Sequence, residues 1–395
     1  MMNRRQWLQG LASTGLSVGA GQLWAVGQEQ PSFLLVFLRG GYDAANLLVP
    51  VSSSFYYEAR PTIAVARPGG DASCALALDA DWGLHPALRD SLYPLWQRGE
   101  LAFVPFAGTH DLSRSHFETQ DSIELGQPLE GPRNYRSGFL NRLAATLQGT
   151  GAMAFTDRVP LAMQGEVQVA NTALRSVNRP GVDARQSHII GTMYQGTELS
   201  GAVRQGFAVR DEVARNMAAE MDAASRNAVS ARGFELEARR IARLMKGRHR
   251  LGFVDVGGWD THVAQGGATG QLANRLEELG RGLAAYAQEM GPRWRDTTVV
   301  VLSEFGRTFR QNGNNGTDHG HGSVYWVLGG AVRGGQVVGE QVAVTPSNLF
   351  QNRDYPVLNE VRSLLGGLME RQFGLSPAQL DSVFPGAQAR DLRLL

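Results

Sequence analysis

Phe33-Leu34-Leu35-Val36-Phe37-Leu38, running into Arg39-Gly40-Gly41-Tyr42-Asp43, is the stretch on which the fold turns. Six apolar side chains in a row leave no polar face for water, so a strand here must be covered on both sides, as in a parallel sheet between helical layers. The two glycines end the run and leave Asp43 just beyond its carboxyl end. The same construction recurs: Leu101 to Phe106, Leu251 to Val256, Thr297 to Leu302 and Val324 to Leu328 read as further buried strands. Between them lie helical patterns: His85 to Arg98, with Leu88, Leu92, Leu95 and Trp96 on one face, then Ser115 to Leu125, Arg136 to Leu147, and Gln271 to Met290. On the last of these, Leu272, Leu276, Leu279, Leu283, Tyr286 and Met290 recur at steps of four and three, which makes a packing face. Strands alternating with helices predict an α/β fold, a three-layer α/β/α sandwich with a mostly parallel sheet.

Composition narrows the chemistry. The 395 residues carry 38 Lys+Arg against 37 Asp+Glu, a formal charge of +1, with no basic run of the kind that displaces counterions from nucleic acid. Lys246 is the sole lysine, so arginine supplies the other cations. Cys74, the one cysteine, permits neither an intramolecular disulfide nor a thiolate metal cluster, which leaves oxygen and imidazole as the reactive groups. At the start of the chain, Arg4-Arg5-Gln6-Trp7-Leu8 precedes a weakly apolar run and a small residue at Ala25. This is the pattern of a twin-arginine export signal, expected over residues 1–25 and followed by one domain over 26–395 in the periplasm or outside the cell. No later segment is apolar for long enough to span a bilayer. A polar, Ala- and Arg-rich stretch at about 166–247 is expected to be a helical cap or insertion.

The chemistry concentrates just beyond the buried strands. The first leads into Gly40-Gly41-Tyr42-Asp43, and the second into Ser113-Arg114-Ser115-His116-Phe117. After Val256 comes Gly258-Trp259-Asp260-Thr261-His262, and after Leu302 comes Ser303-Glu304-Phe305-Gly306-Arg307. Gly316-Thr317-Asp318-His319-Gly320-His321-Gly322 then precedes the last strand. Ligands of open parallel sheets bind beyond the carboxyl ends of the strands, so these groups are expected to converge. Five of the eight histidines, His110, His116, His262, His319 and His321, lie in these segments. Carboxylates and imidazoles without thiolates suit a divalent metal, Zn or Mn ahead of Mg or Ca. Each group also has a plainer reading: Asp43 as a turn residue, Glu304 as an ion-pair partner of Arg307, and Asn312 to Gly322 as a surface loop. Ser115-His116-Phe117-Glu118 reads as a capping box.

The five ordered motifs resemble the bacterial domain-of-unknown-function family 1501, which is related to the alkaline phosphatase and sulfatase superfamily; the resemblance runs from about Pro31 to Pro377. It implies an alkaline phosphatase-like fold with one or two divalent ions held by Asp43, Asp260, His262, Glu304 and His319. Ser115 stands where the superfamily has its nucleophile, with Arg114 as the accompanying cation; Asp318, His321, His116 and Arg307 are further candidates in the same segments. The implied activity is that of an exported, metal-dependent hydrolase acting on a phosphate or related ester, of a small molecule, glycan or lipid. Phe305 stands where the superfamily usually has histidine, which brings in an alternative: a catalytically degenerate member serving as a binding or scaffolding module. A sulfatase's formylglycine precursor needs Cys or Ser followed by x-Pro-x-Arg, whereas Cys74 is followed by Ala75-Leu76-Ala77.

Overall fold

The computed structural model describes residues 30–173, 184–208 and 233–395. The expected export signal lies outside these residues, as do 174–183 and 209–232 of the expected cap. In chain order the strands are β1 (Ser32–Arg39), β2 (Leu48–Pro50), β3 (Leu76–Ala77), β4 (Trp82–Leu84), β5 (Leu101–Gly108), β6 (Gly151–Ala154), β7 (Ala170–Asn171), β8 (His249–Gly257), β9 (Thr297–Ser303), β10 (Ser323–Leu328), β11 (Gln336–Val337) and β12 (Asn359–Glu360). The main sheet runs β11-β5-β10-β9-β1-β8-β6-β7, with β12 also on β5, and β2-β4-β3 form a small second sheet.

β1 lies between β8 and β9, parallel to both, with Val36 level with Val254 and Val301. Its side chains divide by parity, as strand geometry requires. Leu34, Val36 and Leu38 enter one core, and Phe33, Leu35 and Phe37 enter the other. The first core is covered by the helices Phe234–Lys246 and Gln271–Met290, and the second by Phe139–Thr146, Val361–Phe373 and Pro377–Val383. This makes the expected three layers. All six residues of the predicted Gln271–Met290 stripe are buried.

Two local expectations are corrected, and one strand departs from the parallel majority. β10 is antiparallel to β5 and β9, because the segment from Glu304 to Gly322 is a loop without a crossover helix and turns the chain straight back. His85 to Arg98 is not one helix but a 3-10 turn, Pro86–Leu88, and a short helix, Tyr93–Gln97. Pro94, lacking an amide hydrogen, can only begin a helix, although Leu88, Leu92, Leu95 and Trp96 are buried as expected. The helix expected from Ser115 runs His116–Leu125, and the Ser115 side chain makes no cap hydrogen bond, so the capping box is not formed. In the middle segment, Phe234–Lys246 buries Phe234, Ala238, Ile241 and Met245 in the first core. No described helix is long and apolar enough to cross a membrane.

Candidate metal centre

The loops after β1, β5, β8 and β9 meet at the carboxyl edge of the sheet, together with the loop leading into β10. Glycine makes the approach possible. Gly40 has φ +123°, and a Cβ there would stand 2.8 Å from the Asp260 amide nitrogen. Gly320 follows His319 where the chain pairs antiparallel with Arg307, and a Cβ there would stand 2.5 Å from the Arg307 carbonyl. His116 arrives on the first turn of the helix after β5, and Asp260 and His262 on the extended chain after β8.

Three imidazoles turn their Nε2 atoms toward the Asp260 carboxylate. His262 Nε2 is 2.9 Å and His319 Nε2 3.2 Å from Oδ1, and His116 Nε2 is 3.5 Å from Oδ2. Ligand atoms of His116, Asp260 and His319 all lie within 4.8 Å of one another. His262 Nε2 is 3.3 Å from His319 Nε2. Each ring is held from behind through Nδ1: His116 by Glu304 Oε1 at 2.8 Å, His262 by Asp318 Oδ1 at 3.0 Å, and His319 by the Arg114 carbonyl at 3.0 Å. A carbonyl only accepts, so His319 Nδ1 carries the proton, and in the neutral ring Nε2 presents a lone pair. The Nδ1 atoms of His116 and His262 face carboxylates in the same way, which leaves Nε2 directed at Asp260. Imidazole nitrogens gathered beside one carboxylate form a donor set of the kind that holds a divalent metal.

The charges around the cluster are set by its partners. Burial works to raise the Glu304 carboxyl, but hydrogen bonds from His116, Gln120 and Ser303 outweigh it and hold the group below its ordinary value. The Gly40 amide also donates to Glu304 Oε1, at 2.8 Å. The hydrogen bond between His116 and Glu304 in turn raises the His116 imidazole, whereas burial, reinforced by His116, lowers His319. Partial burial works to raise Asp260, and the Arg307 guanidinium, bonded to Oδ1, pulls it below the usual carboxylate range. Asp318 is lowered likewise, hydrogen bonds from Asn312 and His262 outweighing burial. Glu304 therefore stands behind His116, and its own Oε1 is occupied by three donors from His116, Gln120 and Gly40. Phe305 lies with its ring centroid 5.0 Å from those of both His116 and His319, so it walls the cluster with an apolar face.

The other sequence-predicted residues stand elsewhere. Asp43 is buried against Arg60, at 2.5 and 3.1 Å, and takes a further bond from Gln265 at 2.6 Å. The Arg114 side chain is held by Asp354 at 2.8 Å and Gln351 at 2.8 Å, so its contribution to the cluster is its carbonyl, aimed by a backbone φ of +50°. Ser115 is half-buried next to His116. His321 packs its ring on Phe350, and burial lowers it to about 4. Sequence reasoning places His116 among the secondary candidates and misses Gln120 and Arg60. A signal for Gln120 is present, since it lies four residues after His116 on the same helix face; Arg60 has no local signal.

The site and sheet together define an α/β protein with a histidine–carboxylate cluster at the carboxyl edge. The chain belongs to DUF1501, a family of proteins of unknown function, whose sequence model matches residues 30–384. No curated protein matches it in sequence. Among solved structures it is similar to a protein of the alkaline phosphatase superfamily from Vibrio parahaemolyticus, at 11% identity and TM-score 0.43, covering 100% of this chain and 79% of that one. It is also similar to Ps i-CgsB in complex with k-i-k-neocarrahexaose, at 10% identity and TM-score 0.37, covering 89% and 74%. A third is a protein from glycosaminoglycan metabolism by Bacteroides thetaiotaomicron, at 10% identity and TM-score 0.34, covering 91% and 76%.

Proposed function

We propose that this protein holds a divalent metal ion between His116, Asp260, His262 and His319 and hydrolyses a phosphate or related ester of a small molecule, glycan or lipid. The reading is carried by one observation: three imidazoles with Nδ1 anchored and Nε2 directed at one carboxylate. Imidazole and carboxylate donors favour Zn or Mn over Mg or Ca. When bound, such an ion polarises a phosphoryl oxygen and lowers the pKa of a nearby hydroxyl. Ser115, adjacent to His116 and free of cap duty, is the hydroxyl assigned to attack phosphorus, releasing the alcohol before water frees the phosphate. Arg307 keeps Asp260 ionised, Glu304 holds the His116 ring with Nε2 directed at Asp260, and Phe305 walls one side of the rings. The superfamily resemblance is the source of the Ser115 assignment, and the Arg4-Arg5-Gln6-Trp7-Leu8 stretch is the ground for proposing export of the folded chain over the twin-arginine route.

The test is elemental analysis of purified protein combined with a screen of phosphomonoesters, diesters and sulfate esters in Zn, Mn, Mg and Ca. Turnover that Ser115→Ala abolishes, with metal content and melting temperature unchanged, is the expected result; a metal-free protein after reconstitution sinks the reading. Replacing Arg4 and Arg5 by lysine is expected to retain the protein in the cytoplasm. A second reading, a binding or scaffolding module, is favoured by Phe305 and by the engagement of Asp43 with Arg60. Bound metal without turnover of any ester would select it.

A further inference from the structure

At Asp43, where the sequence leads one to expect a metal ligand, the structure holds a different cation. The Arg60 guanidinium is fully buried, and all of its nitrogens are engaged: Nε with the Phe309 carbonyl at 2.7 Å, Nη1 with Asp43 and Asn46 at 2.5 and 3.0 Å, and Nη2 with Asp43 and the Thr308 carbonyl, both at 3.1 Å. Both Asp43 oxygens therefore face a planar fork of donors, the geometry in which arginine matches a carboxylate. Gln265 donates to Asp43 and accepts from Thr317 Oγ1 at 2.9 Å; Thr317 accepts from Arg307 Nε at 3.2 Å, and Arg307 bonds Asp260. A continuous chain of hydrogen bonds, buried as far as Arg307, thus joins Arg60 to the carboxylate at which the imidazoles converge.

We infer that Arg60 is a built-in cation occupying the place that a second metal ion would take at Asp43, so that the protein carries one metal ion per chain. A divalent ion cannot enter at Asp43 without displacing a guanidinium whose other partners are buried carbonyls and Asn46, which would then lose their donors. On this assignment Asp43 and Arg60 are positioning residues, which set the direction of Asp260 through Gln265, Thr317 and Arg307. The inference rests on the proposed cluster of His116, Asp260, His262 and His319.

Counting ions distinguishes the two. Native mass spectrometry and elemental analysis of the whole mature protein, equilibrated with excess Zn or Mn and dialysed, should give one ion per chain. Two ions would overturn this inference and leave the cluster standing, whereas none would overturn the cluster and this inference with it. Arg60→Ala opens the position beside Asp43 and should bind a second ion in excess metal, with a rise in melting temperature absent in the wild type. A folded Arg60→Ala protein that still binds one ion overturns the inference. Should Arg60→Ala fail to fold even in excess metal, Asp43→Asn decides the matter: one ion retained, with affinity within about tenfold of wild type, supports it, and loss of the ion overturns it.

Discussion

Glu304 carries a charge that hydrogen bonds, not a cation, stabilise: donors from His116, Gln120, Gly40 and Ser303 surround a side chain that water does not reach. Removing that charge should act on the metal through His116. Glu304→Gln is expected to weaken metal affinity by about 10–100-fold while the stoichiometry is kept, read by competition with a chelator. His85 gives a second residue-scale expectation. Its Nδ1 accepts from the Ala87 amide at 3.1 Å and its Nε2 faces the Gly267 carbonyl at 3.0 Å, so both nitrogens are satisfied only in the neutral ring. Burial lowers it from 6.5 to about 4. Above 6.5 it adds no pH dependence. Between 6.5 and about 4 the unfolded chain binds the proton and the folded chain does not, so stability should fall by roughly 1 kcal/mol per pH unit. The difference between wild type and His85→Gln in urea melts at pH 7 and pH 5 isolates it; equal losses would contradict this. Legibility differs among site residues for physical reasons. Asp260 and His262 are readable because a spacing of two on extended chain can aim both side chains inward. Arg60 is not, because what places it against Asp43 is the packing of Phe309 and Thr308, far along the chain.

The elements most easily read from sequence are those whose environment is uniform. β1, β5 and β9 carry long apolar runs because both faces are covered, and the Gln271–Met290 helix shows its stripe because only one face is. Leu276, fully buried on that helix, should cost about 2–5 kcal/mol on replacement by alanine, measured by urea denaturation. A loss under about 1 kcal/mol would mean the helix is not anchored as described. Less legible are β6 and β7, with four and two residues, too short for either periodicity. His85 to Arg98 misleads because its apolar spacing is helical while Pro94 denies the hydrogen bond that spacing needs. The Ser115 capping signal misleads too: Ser115 sits at the N-cap, but its side chain makes no cap hydrogen bond.

At the scale of the molecule, one layer of strands separates two apolar cores, and the chemistry lies along a single edge of that layer. Metal should therefore stabilise the whole described body. An ion at about 100 times its dissociation constant contributes about 2.7 kcal/mol if it binds only the folded chain. Thermal melts with and without metal should show the difference, reversed by chelator and absent in Asp260→Ala. The cluster's distant origins carry a further consequence. His116 and Glu304 are 188 residues apart in sequence, and His319 and Arg114 are 205 apart. Until the sheet is assembled, the loops that carry His116, Asp260 and His319 are far apart along the chain, so on the proposed reading the nascent chain offers no pocket for an ion and capture would come at the end of folding. A chain that crosses a membrane already folded takes with it whatever ion it caught beforehand. Its choice of metal would then be set by the ion supply of the compartment where it folds, whatever ions surround it where it works.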